Sequence, residues 1–159
     1  MNKEKDIEYS FSRIKHILSE IPFFEEFSDD ELDFFSRNLS LRAFPSQTVL
    51  FRKGDIGDYL FFIVEGAVEV RLESIESKPL IIAKFERGSC VGEMSIVDDY
   101  PRSATIAVTE PSELLLFTRN RFESICKENP LVGIKFLKGI AKDVSLRLRK
   151  TTGRFADLS

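Results

Sequence analysis

The chain has 159 residues, 43% of them hydrophobic and 31% charged, with 8 Gly and 6 Pro; this suits a single domain with an ordinary core and excludes disordered, collagen-like and low-complexity classes. Its 23 basic and 26 acidic side chains leave a net charge of −3, which argues against a general nucleic-acid binder with direct DNA contacts. No apolar run reaches the roughly 18 residues of a membrane span, no apolar stretch follows the charged opening, and two cysteines, Cys90 and Cys126, are too few for a disulfide scaffold, so the cytoplasm is the expected compartment.

Over residues 8–21, Phe11, Ile14, Leu18 and Ile21 recur at three and four residues and predict an amphipathic helix. Ser28-Asp29-Asp30-Glu31 then reads as a capping box, in which the Ser28 hydroxyl and the Glu31 carboxylate satisfy unpaired amides. The second helix would bury Leu32, Phe35 and Leu39. Residues 1–40 carry a net charge of −5.

From residue 41 to residue 118 the period changes to two. Val68-Glu69-Val70-Arg71-Leu72-Glu73 alternates as a strand with one wet face does. Residues 59–64 and 80–83 are continuous apolar runs, as expected of strands buried on both sides. Gly54, Gly57, Gly66 and Gly88 mark turns. Many short strands at this spacing predict an antiparallel sandwich or barrel.

Helical periodicity returns after Thr118. A short helix is expected over residues 121–127, and Pro130 opens another whose apolar stripe would be Leu137, Ile140, Val144 and Leu148. Gly133 and Gly139 interrupt that helix at a cost of about 1 kcal/mol each relative to Ala. They fit either close packing or a helix chosen to move. Residues 135–154 carry a net charge of +6, which fits a solvated face or a surface for an anionic ligand or partner. With helices at both ends, strands between, and no repeat or linker, residues 1–159 are expected to form one domain: 1–40 helical, 41–118 β, 119–152 helical.

One stretch breaks the strand pattern. After Gly92, Glu93-Met94-Ser95-Ile96 can form a helical turn whose free amides favour an anion. Nine residues beyond Glu93, Arg102 follows Pro101 and would be presented from a rigid turn before a strand over residues 104–108. Two readings fit this spacing. Glu93 and Arg102 either form an internal salt bridge, or they line a pocket for an anion bearing a hydroxyl, with the guanidinium fork on the anion and the carboxylate on the hydroxyl.

Gly92-Glu93-Met94-Ser95-Ile96 followed by Pro101-Arg102-Ser103-Ala104-Thr105-Ile106 resembles the phosphate-binding cassette of cyclic nucleotide-binding domains. This is the family of bacterial catabolite activators, protein kinase A regulatory subunits and cyclic-nucleotide-gated channels. Ile21-Pro22-Phe23-Phe24, Gly54-Asp55, the run from Asp58 to Ile63 and Glu65-Gly66-Ala67-Val68 resemble other landmarks of that family in the same order. The likeness covers residues 18–150. It implies a mainly β fold with flanking α helices: an eight-stranded antiparallel β-barrel of jelly-roll type, with N-terminal helices, a cassette helix and C-terminal helices.

The resemblance also implies roles. Glu93 would accept from the ribose 2′-hydroxyl. Arg102 would pair with the cyclic phosphate, aided by the amides of Gly92, Ser103 and Ala104, and the Ser103 hydroxyl could reach the phosphate or base. Arg147-Leu148-Arg149-Lys150-Thr151-Thr152 is similar to the helix end that meets adenine in catabolite activators. This makes Arg147, Thr151 and Thr152 candidate base contacts and favours cAMP over cGMP. Cys90, Val91 and Met94 depart from the residues usual in the cassette, and Asp98 and Asp99 are expected to face solvent.

The expected function is a sensor that binds cAMP or cGMP and signals through movement of its last helix. With eleven residues after Leu148, no output module is expected. A separate protein partner or self-association would read the change. Two other classes compete. One is an interaction scaffold of the same fold that has lost its ligand. The other is a metal-dependent barrel enzyme, disfavoured because His16 is the single histidine. No cofactor and no catalytic residue is expected.

Overall fold

The structure, a computed structural model, describes residues 3–75 and 78–158. Helix α1 (Lys3–Glu20), a 3-10 turn (Pro22–Phe24) and α2 (Asp29–Ser36) come first. Ser28 caps α2 as expected, its hydroxyl accepting from the Glu31 amide at 3.2 Å. The Glu31 carboxylate does not complete the box. It pairs with Lys135 of the last helix at 2.8 Å, because a full cationic charge attracts a carboxylate more strongly than a backbone amide does.

Eight strands follow: β1 (Ser40–Phe44), β2 (Val49–Phe51), β3 (Tyr59–Glu65), β4 (Ala67–Leu72), β5 (Leu80–Glu86), β6 (Cys90–Val91), β7 (Thr105–Val108) and β8 (Ser112–Thr118). A one-turn helix, α3 (Met94–Val97), lies between β6 and β7. The strands form two antiparallel four-stranded sheets, β1-β8-β3-β6 and β2-β7-β4-β5. The mainly β fold and the strand number are as expected, but the closed barrel is not. No ladder joins the two sheets among the described residues. Closure needs an unbroken ladder around the ring, and the two-residue β6 and the irregular three-residue β2 provide short ones.

The core has two layers, and β3 belongs to both. Leu60 and Phe62 point to the helices and join Phe24, Phe35, Leu115, Phe117 and Phe136. Phe61 and Ile63 point between the sheets and join Val68, Val91, Ile106 and Leu114. That explains the continuous apolar run at 59–64: a strand covered on both faces has no wet side. The run at 80–83 has a different fate. Leu80, Ile81 and Ile82 are exposed, because β5 is an edge strand paired only with β4. In β4, Glu69 is buried rather than wet, held by Arg71 at 2.5 Å.

Helix α4 (Arg119–Glu128) and α5 (Pro130–Asp157) close the chain. The inward face of α5 is Val132, Gly133, Phe136 and Ile140. Of the stripe expected from the sequence only Ile140 is buried; Leu137, Val144 and Leu148 are exposed. The glycines explain this rotation. A Cβ on Gly133 would lie 2.8 Å from Cys126 Sγ, and one on Gly139 2.6 Å from the Phe23 ring. Both glycines therefore support close packing, which turns α5 about its axis.

Candidate functional site

The inward face of α5 continues at three- and four-residue spacing from Ile140 to Asp143 and Arg147, and this carries Arg147 to the cassette. From the other side, Gly92 turns the chain out of β6 with φ +83°, a left-handed conformation suited to Gly. The Arg102 backbone is clamped in both directions by the preceding loop: its amide donates to the Asp55 carbonyl, and its carbonyl accepts from the Gly54 amide, each at 2.8 Å. Pro101 is thus not alone in making that turn rigid.

Arg102 is 5% exposed. Its Nη2 donates to the Tyr59 carbonyl at 2.7 Å and its Nη1 to the Gly92 carbonyl at 3.4 Å. Nε has no acceptor. The guanidinium carbon lies 3.7 Å from the centre of the Phe51 ring and 5.0 Å from that of Tyr59, so ring faces supply part of the compensation for lost water. No carboxylate among the described residues forms an ion pair with it. Burial lowers the Arg102 pKa from its ordinary value, opposed by the fields of Tyr59, Asp58, Asp55 and Glu93. The internal Glu93–Arg102 salt bridge, one of the two readings of the spacing, is not formed.

Glu93 is also buried, and its partner is Arg147. Arg147 Nη1 donates to Glu93 Oε1 at 3.1 Å, and Nη2 reaches the Cys90 carbonyl. Asp143, one turn back on α5, lies 2.8 Å from the same guanidinium, which sits 4.6 Å from the centre of the Phe85 ring. Burial raises the Asp143 pKa, with Arg147 and Lys150 pulling it down. Burial likewise lifts the Cys90 thiol well above its ordinary value, which keeps it protonated.

Between these two cations lies a cavity of about 250 Å³. Gly92, Glu93, Met94, Ser95, Arg102, Ser103, Ala104 and Arg147 all line it. The amides of Ser103 and Ala104 have no acceptor among the described residues. Thr151 and Thr152 are not among the lining residues; both are exposed, and their hydroxyls donate back to the carbonyls of Arg147 and Leu148. Sequence reasoning missed the apolar wall, made by Phe51, Val70, Ile82, Phe85 and Ile106, because those residues come from four strands whose proximity no local pattern encodes. Of the two aspartates expected to face solvent, Asp99 does so, whereas Asp98 lines the cavity. Asp98 Oδ1 accepts from the Tyr100 amide at 3.1 Å, and the exposed Asp99 carboxylate meets Arg119. The basic stretch on α5 is partly neutralised, with Lys135 on Glu31 and Lys142 on Glu25. The acidic amino-terminal region and the basic last helix therefore face each other.

The profile of the cyclic nucleotide-binding domain matches residues 41–129, more than half of the chain. A cyclic nucleotide-gated potassium channel of Rhizobium etli is 34% identical over 121 residues, 76% of this chain and 32% of the channel. The chain thus spans about a third of the channels it matches. A cyclic nucleotide-binding domain from Methylobacillus flagellatus superposes with a TM-score of 0.81 at 29% identity, covering 94% of this chain and 84% of that one. The catabolite activator protein of Thermus thermophilus gives 0.72 at 26% identity, covering 86% and 62%. No helix among the described residues is long and apolar enough to cross a membrane, and no group of three or more potential metal ligands occurs among them. The profile match and these likenesses agree with a cassette met in the expected order, and the chain belongs to the cyclic nucleotide-binding domain family.

Proposed function

We propose that this domain binds a cyclic nucleotide, cAMP ahead of cGMP, as a sensory module that signals through α5 to a partner. The observation that carries the reading is Arg102: a buried guanidinium that lines the cavity and has no carboxylate partner. A cyclic monophosphate carries one negative charge, which one guanidinium neutralises. Glu93 stands on the same cavity, and only its Oε1 is taken by Arg147. Its second oxygen is left to accept from a ribose hydroxyl. The amides of Ser103 and Ala104 supply donors for the phosphate.

Arg147 links that chemistry to α5. A ligand hydroxyl on Glu93 alters the carboxylate that holds Arg147, and with it the segment of α5 that covers the cavity. Any shift of α5 draws its energy from tighter binding to one arrangement than to the other. The order cAMP before cGMP rests on the similarity of residues 147–152 to the adenine-meeting helix end. Since the hydroxyls of Thr151 and Thr152 are turned onto their own helix, Arg147 is the candidate base contact that lines the cavity.

Calorimetric titration with cAMP and cGMP, on protein stripped of carried-over nucleotide, tests the reading. Saturable binding of cAMP tighter than that of cGMP is expected. A ligand at 100 times its dissociation constant adds about 2.7 kcal/mol of stability, so a melting curve reports the same event. No heat and no melting shift with either nucleotide would leave the interaction scaffold as the better description. Amide exchange over residues 131–149 with and without ligand tests signalling through α5, and unchanged protection would remove it.

A further inference from the structure

Arg119, the first residue of α4, holds the cassette from beneath. Its Nη2, with two hydrogens, sits among the carbonyls of Ser95, of Asp98 at 2.6 Å and of Gly57 at 3.4 Å, while Nη1 meets the Asp99 carboxylate and Nε has no partner. Its backbone amide donates to the Asp58 carbonyl at 2.7 Å. Three segments thus converge on one residue: α3 and its C-terminal end, the loop before β3, and the start of α4. Carbonyls at a helix C-terminus lack intrahelical donors, and the rigid guanidinium fork aims Nη2 at them while Nη1 points to Asp99, a fixed two-pronged geometry that a single ammonium does not reproduce.

Two of these anchor points bear on the anion site. Gly57 passes so close to Arg102 that a Cβ there would lie 2.5 Å from Arg102 Nε and would overlap Ser95 Oγ. Gly57 and Ser95 therefore wall in the guanidinium, and Arg119 bonds to the carbonyls of both. We propose that Arg119 is the positioning residue of the anion site: it fastens α3 to the loop before β3 so that Arg102 is held in one orientation toward the cavity. Because Arg119 also begins α4, which packs on α5, the same residue joins the cassette to the helices. The exposed Asp99 contributes little to this role, since an ion pair with a solvated carboxylate is weak. The assignment rests on the reading of the cavity as a cyclic nucleotide site.

Comparison of wild type, Arg119→Ala, Arg119→Lys and Asp99→Asn tests it. In the unliganded protein, the Arg102 Nε–H resonance should shift or broaden in Arg119→Ala and stay in place in Asp99→Asn. An unmoved resonance in Arg119→Ala would overturn the assignment without reference to any ligand. Affinity for cAMP should fall by about 10- to 100-fold in Arg119→Ala, the scale seen when a supporting residue is lost. Ethylguanidinium at sub-denaturing concentration should restore most of that loss, whereas ethylammonium and Arg119→Lys should not. Equal rescue by both cations, or a loss under threefold, would also overturn it. Should Arg119→Ala fail to fold, Arg119→Lys carries the resonance and affinity tests. If wild type binds neither nucleotide, the reading of the cavity fails, while the resonance still decides the role of Arg119.

Discussion

Two guanidinium groups line one cavity, and their surroundings are opposite. Arg102 comes from the sheet side, is buried, rests on two aromatic faces and has carbonyl partners but no carboxylate. Arg147 comes from the helix side, is partly exposed and is flanked by the carboxylates of Glu93 and Asp143. The same chemical group is thus an uncompensated cation in one place and a neutralised one in the other. An anionic ligand gains most where charge is unmatched and desolvated, so the sheet side is the place to expect the phosphate. On the helix side, a full charge would have to enter an existing ion-pair cluster.

The largest expected effect is on the unmatched cation. Arg102→Ala should weaken cyclic nucleotide binding by about 2–5 kcal/mol, roughly 30- to several-thousand-fold, while circular dichroism shows a retained fold. A calorimetric loss under threefold would mean that the phosphate sits elsewhere. Next comes the hydroxyl acceptor. Glu93→Gln weakens a charge-assisted bond of about 1.5–3 kcal/mol, so the preference for ribose over 2′-deoxyribose ligands should erode in paired titrations. An unaltered preference would contradict that role.

Smaller effects are expected on the neutralised side. Arg147→Met keeps the aliphatic stem against Phe85 but leaves the buried Glu93 carboxylate without its cation, a loss that falls on stability and on α5 more than on the phosphate contact. Affinity for the phosphate should change by less than about tenfold, with the clearer signal in faster amide exchange of α5 near residue 147. A loss as large as that of Arg102→Ala would erase the distinction between the two cations. The smallest effect is at Asp143, whose folded-state pKa is raised by burial. Folding therefore disfavours its charged form. That penalty is fully present above the raised value, fades as pH falls from it to the unfolded one, and is gone below that. Asp143→Asn should give a small gain in melting temperature at neutral pH, shrinking on acidification; a gain that grows at low pH would reverse the sign of the argument.

Much of this was legible from short-range pattern. The change of period at residue 41 and again after residue 118 located the β portion, since a strand and a helix repeat differently whatever they pack on. The Ser28 cap, the helical turn after Gly92 and the spacing of Glu93 from Arg102 are equally local. The buried run in β3 and the exposed run in β5 show where such reading stops. Both are continuous and apolar. One lies in a sheet interior covered by helices, and the other lies at an edge. The only local difference is that Lys84 breaks the β5 run after four residues whereas β3 stays apolar to Val64, too slight a signal to place one at an edge.

By itself, then, the sequence determined the helix–strand–helix order, the cassette and its two charged residues, because periodicity, capping and turn chemistry act over a few residues. Tertiary structure alone decided that Glu93 pairs with Arg147 rather than Arg102, that the sheets stay unclosed, and that α5 presents Phe136, Ile140, Asp143 and Arg147 inward. Those outcomes depend on how distant elements rotate against each other. On α5 the rotation follows from two glycines, whose missing side chains let Cys126 and Phe23 come close and so bring Arg147 over the site.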